Sequence, residues 1–256
     1  MKNLFFTLEG DSSKPAIVLG HPLGMNSQVW DGIVPELLEK FRVIRWDLPG
    51  HGLSAALDPN SSPLTANALV DPLIEKCDEL GIKQFHYMGT SIGGVIGQQL
   101  LIQHSDRLLS ATLTNTGAKI GTKDAWLTRQ QDVMSLGLET MAATLVMRWF
   151  SEHSIHFHTT LASHWQMQLA KVDDHSYGAL CAWLGNIDLS ASLTTSAVPV
   201  QLICGEKDVA TTPELMQSLA SLLQINTVAV LPNVGHVPSV EAPEQLVPLL
   251  KTFLNP

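Results

Sequence analysis

Short apolar runs alternate with longer amphipathic stretches along most of the 256-residue chain. Before residue 121, five runs are typical of β-strands: LFFTLEG, PAIVLGHPLG, FRVIRWDLPG, FHYMGTS and LSATLTNT. Between them, TANALVDPLIEKCDELGI and IGGVIGQQLLIQHSDRL have the spacing of helices. Strands that alternate with helices predict an α/β fold with a mostly parallel central sheet flanked by helices.

The alternation stops between about Gly121 and Leu189, where helical segments follow one another and carry four tryptophans, Trp126, Trp149, Trp165 and Trp183. Beyond this stretch, VPVQLICGEKD, TPELMQSLASLLQ, NTVAVLPNVGH and APEQLVPLLKTFL restore the order strand, helix, strand, helix. We therefore expect one structural domain, with residues 1–120 and 190–256 as its core and residues 121–189 as a helical lid inserted after the sixth strand. The tryptophans favour a small apolar chamber under the lid.

Charge and composition exclude several classes of protein. The net charge is −9 without a cluster of lysine or arginine, so we expect no nucleic-acid partner. The N-terminal stretch MKNLFFTLEGD is too short for a signal-peptide core and no later run approaches a membrane span, which predicts a cytoplasmic protein without a membrane partner. Cys77, Cys181 and Cys204 lack metal-ligand spacing, so we expect buried, reduced thiols.

The segment GTSIGG, residues 89–94, places Ser91 between a predicted strand and a predicted helix. In the pattern G-x-S-x-G the serine occupies a sharp turn, and small residues on both sides, here Gly89 and Gly93, let the chain pass. The turn exposes the hydroxyl above the sheet, at the N-terminus of a helix that favours negative charge. Ser91 is therefore the candidate nucleophile; the alternative is an ordinary helix-capping serine in a glycine-rich turn.

A serine nucleophile needs a base, and the base needs an anion that holds its tautomer. LICGEKD ends a late strand with Asp208, and VLPNVGH ends the next strand with His236. Because open parallel sheets keep their active sites at the carboxyl ends of strands, we expect Asp208 and His236 to complete a triad with Ser91. A helix-capping role for Asp208, with Glu206 as the competing acid, and a loop role for His236 are the alternatives.

Acyl transfer also needs donors for the developing oxyanion. We expect the backbone N–H of Ile92, directly after Ser91, and that of Leu23 in the turn HPLGM. His21 in the same turn is interpreted as a structural histidine that bonds its own loop. The segment DLPGHGLS, residues 47–54, is interpreted as a tight turn behind the sheet rather than as a second active site.

Together GTSIGG, HPLG, PGHGLS, Asp208 and His236 resemble the α/β-hydrolase fold superfamily over essentially the whole chain. Within that superfamily the chain is similar to the 3-oxoadipate enol-lactonases of aromatic-compound catabolism. The similarity rests on SQVWDGIVPELLEKFRVIRWD, LVMRWF, YGALCAWLGNIDL and GEKDVATTPE, and above all on NTGAKIGTKDAW, which enters the lid.

The resemblance implies a serine hydrolase that opens a small, carboxylate-bearing enol-lactone through an acyl-enzyme, without a metal or organic cofactor. Two alternatives remain open: a carboxylesterase, thioesterase or C–C bond hydrolase with the same triad, and a non-catalytic binding protein of the same fold. The intact order Ser91, Asp208, His236 argues against the binding protein, because a binder needs no proton relay. A homodimer is left open.

An anionic substrate requires a local cation in a protein of net charge −9. The predicted lid offers Arg129, Arg148 and Lys119, and Arg129 is the first choice because a guanidinium binds a carboxylate through two parallel hydrogen bonds. Its neighbour Trp126 is a candidate for the pocket wall.

The histidines of HSIHFHTTLASH, residues 153–164, lack the carboxylates or cysteines that would complete a zinc site, so we expect no metal there.

Overall fold

The computed structural model of the protein describes residues 4–254. Residues 1–3 and residues 255 and 256, which belong to the expected core, lie outside the described residues. Within residues 4–254 seven strands form one sheet in the order β1-β3-β2-β4-β5-β6-β7. The strands are β1 (Phe6–Glu9), β2 (Ala16–Gly20), β3 (Arg42–Trp46), β4 (Phe85–Thr90), β5 (Leu108–Thr114), β6 (Val200–Gly205) and β7 (Ala229–Leu231).

Strand direction agrees with the prediction of a mostly parallel sheet. Only the pair β1 and β3 runs antiparallel among the described strands, and the other five pairs are parallel. Every residue of β2, with the sequence AIVLG, is buried, as expected for a strand covered on both faces. The edge strand β1 is only partly buried, which accounts for its more polar sequence FTLE.

Six α-helices of the described residues belong to the core: α1 (Val34–Leu38), α2 (Asp71–Glu79), α3 (Ile92–Gln103), α9 (Pro213–Leu223), α10 (Pro238–Glu241) and α11 (Pro243–Phe253). Of these, α1, α3 and α9 contact strands of the sheet. Helix α2 begins later than its amphipathic pattern indicates, because Pro72 is accommodated only in a first turn. Helix α3 is buried along most of its length against β4 and β5. No helix within residues 4–254 is long and apolar enough to cross a membrane.

Five further helices form a continuous stretch, called here the helical insertion: α4 (Lys123–Leu136), α5 (Leu138–Val146), α6 (Glu152–Phe157), α7 (Leu161–Leu169) and α8 (Asp174–Asn186). The insertion follows β5, so the expectation that it comes after a sixth strand is wrong. In the described residues only the five strand-like runs before residue 121 form strands, so no sixth strand precedes the insertion.

The three cysteines are buried and unpaired, as predicted. Burial raises the pKa of the Cys77 and Cys181 thiols to about 12. Since the thiolate is the reactive form, both side chains act as small apolar groups of the core at neutral pH.

Candidate active site

The chain turns sharply at Ser91, between β4 and α3. Ser91 has φ 58° and ψ −118°, a conformation that is strained for a residue with a side chain. A Cβ at Gly89 would lie 2.2 Å from the carbonyl oxygen of Gly93, and a Cβ at Gly93 would lie 2.1 Å from that of Gly20. The two glycines are therefore required by close backbone approach, as the pattern G-x-S-x-G predicts.

The neighbouring strand β5 holds this turn in place. The N–H of Ser91 donates to the carbonyl oxygens of Thr114, at 3.1 Å, and Asn115, at 3.0 Å. The Thr116 hydroxyl donates to the carbonyl oxygen of Ser91 at 2.8 Å. The surrounding backbone thus determines the orientation of the serine before any ligand binds.

Asp208 and His236 follow β6 and β7 and form a direct pair. The Nδ1 atom of His236 donates to Oδ2 of Asp208 at 2.8 Å. The same carboxylate oxygen accepts from the Thr211 hydroxyl at 2.6 Å and from Nδ2 of Asn115 at 2.8 Å. Its other oxygen accepts from the N–H groups of Ala210 and Thr211 at 2.7 and 3.0 Å. Because Nδ1 carries the proton of this bond, Nε2 is left as the basic nitrogen of neutral His236.

The pair is buried and electrostatically coupled. Burial opposes ionisation of Asp208, but the charge of His236 and hydrogen bonds from His236, Thr211 and Asn115 hold the pKa of this carboxyl well below its usual range. Burial also opposes the charged form of His236, but the Asp208 carboxylate overcomes it and raises the pKa of the imidazole above 6.5. The imidazole is therefore a stronger base than an ordinary histidine.

Ser91 and His236 line the same cavity, which has a volume of about 200 Å³. The core supplies these two residues and Leu23, whereas the helical insertion supplies Trp126, Arg129, Arg148, Trp149 and Tyr177. The structure thus brings the candidate nucleophile and the candidate base to one small chamber, with Asp208 bonded to the far side of the imidazole ring.

The two expected oxyanion donors belong to different loops: Ile92 directly follows Ser91, and Leu23 follows β2. Ile92 is the first residue of α3, where the N–H group has no acceptor within the helix. Leu23 lies in the cavity wall, in the loop after β2. Both backbone groups belong to the carboxyl edge of the sheet, where Ser91 also lies.

Two buried histidines brace the loop that carries Leu23. Nδ1 of His21 donates to the carbonyl oxygen of Pro22 at 2.8 Å, which confirms that His21 bonds its own loop, and Nε2 accepts from the N–H of Leu48 at 2.9 Å. Nε2 of His51 accepts from the N–H of Gly24 at 3.1 Å. Burial, followed by the nearby His21, lowers the pKa of His51 to about 3, so the ring stays neutral and its Nε2 can accept the bond from Gly24.

The segment DLPGHGLS forms the expected tight turn, with φ values of 69° at Gly50 and 53° at Gly52. Its expected position behind the sheet is wrong. The turn follows the carboxyl end of β3, and His51 reaches the loop after β2. Sequence reasoning missed this contact because it joins residues 27 positions apart.

The cations of the helical insertion differ in their surroundings. Arg129 and Arg148 both line the cavity, and the guanidinium carbon of Arg129 lies 5.5 Å from the ring centroid of Trp126. Neither arginine forms an ion pair with a carboxylate of the described residues. Lys119, by contrast, pairs with Asp188 at 3.1 Å. The arginines are therefore available to an anionic ligand, and Lys119 is already neutralised.

Asn115 was not identified from the sequence, although it lies at the centre of the site. Its Nδ2 donates to Asp208 and, at 3.0 Å, to the carbonyl oxygen of Gly235 next to His236. Its φ of 45° is one that asparagine adopts more readily than most residues. The available signal was an asparagine directly after a buried strand, at the same edge as Ser91.

The histidine-rich segment 153–164 lies in α6, α7 and their connection. The rings of His153 and His156 pack on Phe157, with centroid distances of 4.6 and 5.0 Å. Within the described range no group of three or more His, Cys, Asp or Glu side chains is arranged to hold a metal ion.

Comparison with known proteins agrees with this architecture. A model of the alpha/beta hydrolase family matches residues 17–249. The 3-oxoadipate enol-lactonases 1 and 2 of Acinetobacter baylyi are 29% identical over 254 residues (99% of this chain, 94% of that enzyme) and 31% identical over 235 residues (92% and 86%). The crystal structure of the enol-lactonase from Burkholderia xenovorans LB400 has a TM-score of 0.92 at 26% identity and covers 99% of this chain and 96% of its own.

The family match spans most of the chain, and the structural likeness extends over almost all of it. Both confirm the fold class and the resemblance that the sequence motifs indicate. The mostly parallel sheet, the strained serine turn and the match together lead to one conclusion: the chain belongs to the alpha/beta hydrolase family and is a hydrolytic enzyme.

Proposed function

We propose that the protein opens a small enol-lactone bearing a free carboxylate, of the 3-oxoadipate enol-lactone type, with Ser91, His236 and Asp208 as its catalytic triad. The observation that carries this proposal is the composition of one cavity: Ser91 and His236 share its wall with Arg129 and Arg148. A hydroxyl and a base in one cavity serve acyl transfer, and guanidiniums without a carboxylate partner beside them serve an anionic substrate. The names of the Acinetobacter and Burkholderia relatives support the same substrate class.

The first half of the proposed reaction forms the acyl-enzyme. Ser91 Oγ attacks the lactone carbonyl carbon while Nε2 of His236 takes the hydroxyl proton, and Asp208 stabilises the imidazolium that forms. The N–H groups of Leu23 and Ile92 donate to the tetrahedral oxyanion. Collapse of this intermediate breaks the ring C–O bond, leaving an acyl-enzyme and an enolate that is still part of the same molecule.

The second half restores the enzyme. The enolate is a weakly basic leaving group and needs little acid assistance; it then takes the proton held by the His236 imidazolium and becomes a ketone, which leaves His236 neutral. His236 then removes a proton from water, the hydroxide attacks the acyl carbonyl carbon, and the proton returns to Ser91 as the new carboxylate leaves. One carboxylate-bearing lactone and one water give one oxo-dicarboxylate and one proton.

Two features support a small anionic substrate. The cavity volume of about 200 Å³ suits a compact molecule rather than a long acyl chain. The net charge of −9 repels anions at a distance, so the cavity must supply its own attraction. Arg129 remains the proposed carboxylate ligand, and Arg148, which lines the same wall, joins it. Trp126 is proposed as the apolar wall beside Arg129.

The helical insertion is proposed to act as a lid on a single structural domain. Its residues Arg129 and Arg148 line the cavity, whereas the segments that follow β4 and β7 supply Ser91 and His236. Closing the insertion over a substrate excludes water and strengthens the ion pairs with the carboxylate.

The three buried, unpaired thiols favour a reducing compartment, and we place the enzyme in the cytoplasm on that basis.

A substrate panel tests the proposal. The purified protein is assayed on 3-oxoadipate enol-lactone, on short neutral p-nitrophenyl esters and on vinylogous diketones, with S91A as the control. The proposal expects kcat/KM to be highest for the lactone and every activity to fall by about 10⁴-fold or more in S91A. A preference for neutral esters or diketones in the same panel assigns the esterase or C–C hydrolase alternative instead.

The binding-protein alternative needs a separate measurement. A fluorophosphonate forms a covalent adduct with a serine that has an active base, and intact mass detects that adduct. We expect one adduct per chain in the wild-type protein and none in S91A. Absence of an adduct in the folded wild-type protein overturns the triad.

A further inference from the structure

A buried carboxylate outside the cavity lies close to the candidate base. Glu241 ends the short helix α10, five residues after His236, and its side chain is buried. The carboxylate accepts four hydrogen bonds, and all four donors are neutral. Such charge-assisted bonds are stronger than neutral ones, so this carboxylate is a rigid point of attachment.

Two of the four bonds hold the peptide groups on either side of His236. The N–H of Gly235 donates to Oε2 of Glu241 at 2.9 Å, and the N–H of Val237 donates to Oε1 at 3.0 Å. A Cβ at Gly235 would lie 3.0 Å from both carboxylate oxygens, so glycine is what allows this approach. The carboxylate thus restrains the backbone of the base from both sides.

The other two bonds hold the helical insertion at the start of α6. The N–H of Ser151 donates to Oε2 at 2.9 Å, and the Ser154 hydroxyl donates to it at 2.8 Å. A parallel link runs from the N–H of His236 to the carbonyl oxygen of Trp149, at 2.8 Å. Residues 148–154, which carry Arg148 and Trp149 into the cavity wall, are therefore tied to the loop of the base.

We propose that Glu241 is a positioning residue that holds His236 and residues 148–154 as one unit facing Ser91. The inference rests on the proposed triad and extends it to a group that touches neither substrate nor the reacting atoms. Its consequence is that the geometry of the base depends on the helical insertion, and that both depend on one carboxylate.

The charge of Glu241 also acts on the base. The ionisable groups that face His236 are Asp208, Glu241 and Arg148. Burial lowers the pKa of the imidazole, Asp208 and then Glu241 raise it, and Arg148 lowers it. Removing the negative charge at position 241 should therefore move the pH dependence of the base to lower pH, which a purely structural role would not do.

The test compares E241Q with E244Q, the same substitution at an exposed glutamate in the first turn of α11. The rate of Ser91 modification by a fluorophosphonate is followed by intact mass between pH 5 and pH 9. We expect E241Q to react about 100-fold more slowly, because misplacement of a catalytic group by about 1 Å has an effect of that size. Its pH midpoint should be lower than that of the wild-type protein, and E244Q should match the wild type in both quantities.

A second variant serves if circular dichroism shows that E241Q does not fold. E241D keeps the charge and shortens the side chain by one methylene, so it should react at least tenfold more slowly with a midpoint nearer to that of the wild type. Folded E241Q or E241D that reacts at the wild-type rate overturns the inference. A wild-type protein that forms no adduct overturns the proposed function instead.

Hydrogen exchange tests the same inference in the wild-type protein. If Glu241 joins the two segments, the amides of residues 148–154 and 233–241 should open together with similar protection. Much faster exchange in one of these segments contradicts the proposal.

Discussion

The two sides of the cavity are built differently. On the acid–base side, Asp208 accepts five hydrogen bonds, including the one from His236. On the opposite side, Arg129 and Arg148 have no carboxylate partner among residues 4–254, although both line the cavity. The proposed acid–base groups are thus held in place by hydrogen bonds within the protein, whereas the two arginines proposed to bind the substrate have no carboxylate partner until a ligand supplies one.

The largest effect is expected for D208N, which disturbs the acid–base side of the cavity. An asparagine presents an NH₂ group to Nδ1 and favours the wrong tautomer of His236, so kcat should fall about 10⁴-fold while KM changes little. Steady-state kinetics on the preferred substrate measures both quantities. A loss below about tenfold would show that another acid, with Glu206 as the first candidate, supports His236.

The pH profile of the wild-type enzyme examines the same side without a mutation. The pKa of His236 is raised above 6.5, and only the neutral imidazole accepts a proton from Ser91. Log kcat/KM should therefore rise with pH and level off above a midpoint higher than 6.5, with a loss of about 100-fold two units below the midpoint. A midpoint below 6.5 would mean that desolvation outweighs the carboxylates around the ring.

R129Q and R148Q test the opposite side of the cavity, where the arginines have no carboxylate partner. Loss of a charge-assisted hydrogen bond corresponds to about 1.5–3 kcal/mol, so KM for an anionic lactone should rise about 10- to 100-fold. KM for a neutral ester should stay within about twofold, because that substrate offers no carboxylate. Equal effects on the two substrates would remove that arginine from the substrate site.

The smallest effect is expected for K119Q, which is the matched control for the arginine variants. Lys119 lies in the loop before the helical insertion and is exposed, and its partner is Asp188. Exposed ion pairs contribute about 0–1 kcal/mol, so both kinetic constants should remain within about twofold of the wild-type values. A selective rise in KM for the anionic lactone would place Lys119 at the substrate and weaken the contrast.

Strand ends were the part of the site that could be predicted from the sequence. Asp208 and His236 each follow an apolar run, and the carboxyl ends of parallel strands meet at one edge of the sheet. Asn115 follows β5 in the same way, but its bond to the carbonyl oxygen of Gly235 spans 120 residues. Glu241 was missed for a similar reason, since its contacts with Ser151 and Ser154 span 90 and 87 residues. No short sequence pattern predicts contacts between residues so far apart in the chain.

The sequence by itself determined the serine turn and the alternation of strands and helices. Hydrophobic periodicity acts over a few residues, and the small side chains of Gly89 and Gly93 permit the sharp turn at Ser91, so a short stretch of sequence is enough to predict both. Only the tertiary structure decided that Arg148 faces the cavity while Lys119 pairs with Asp188. The neighbours of a charged side chain depend on how distant segments pack, and that packing is a property of the whole chain.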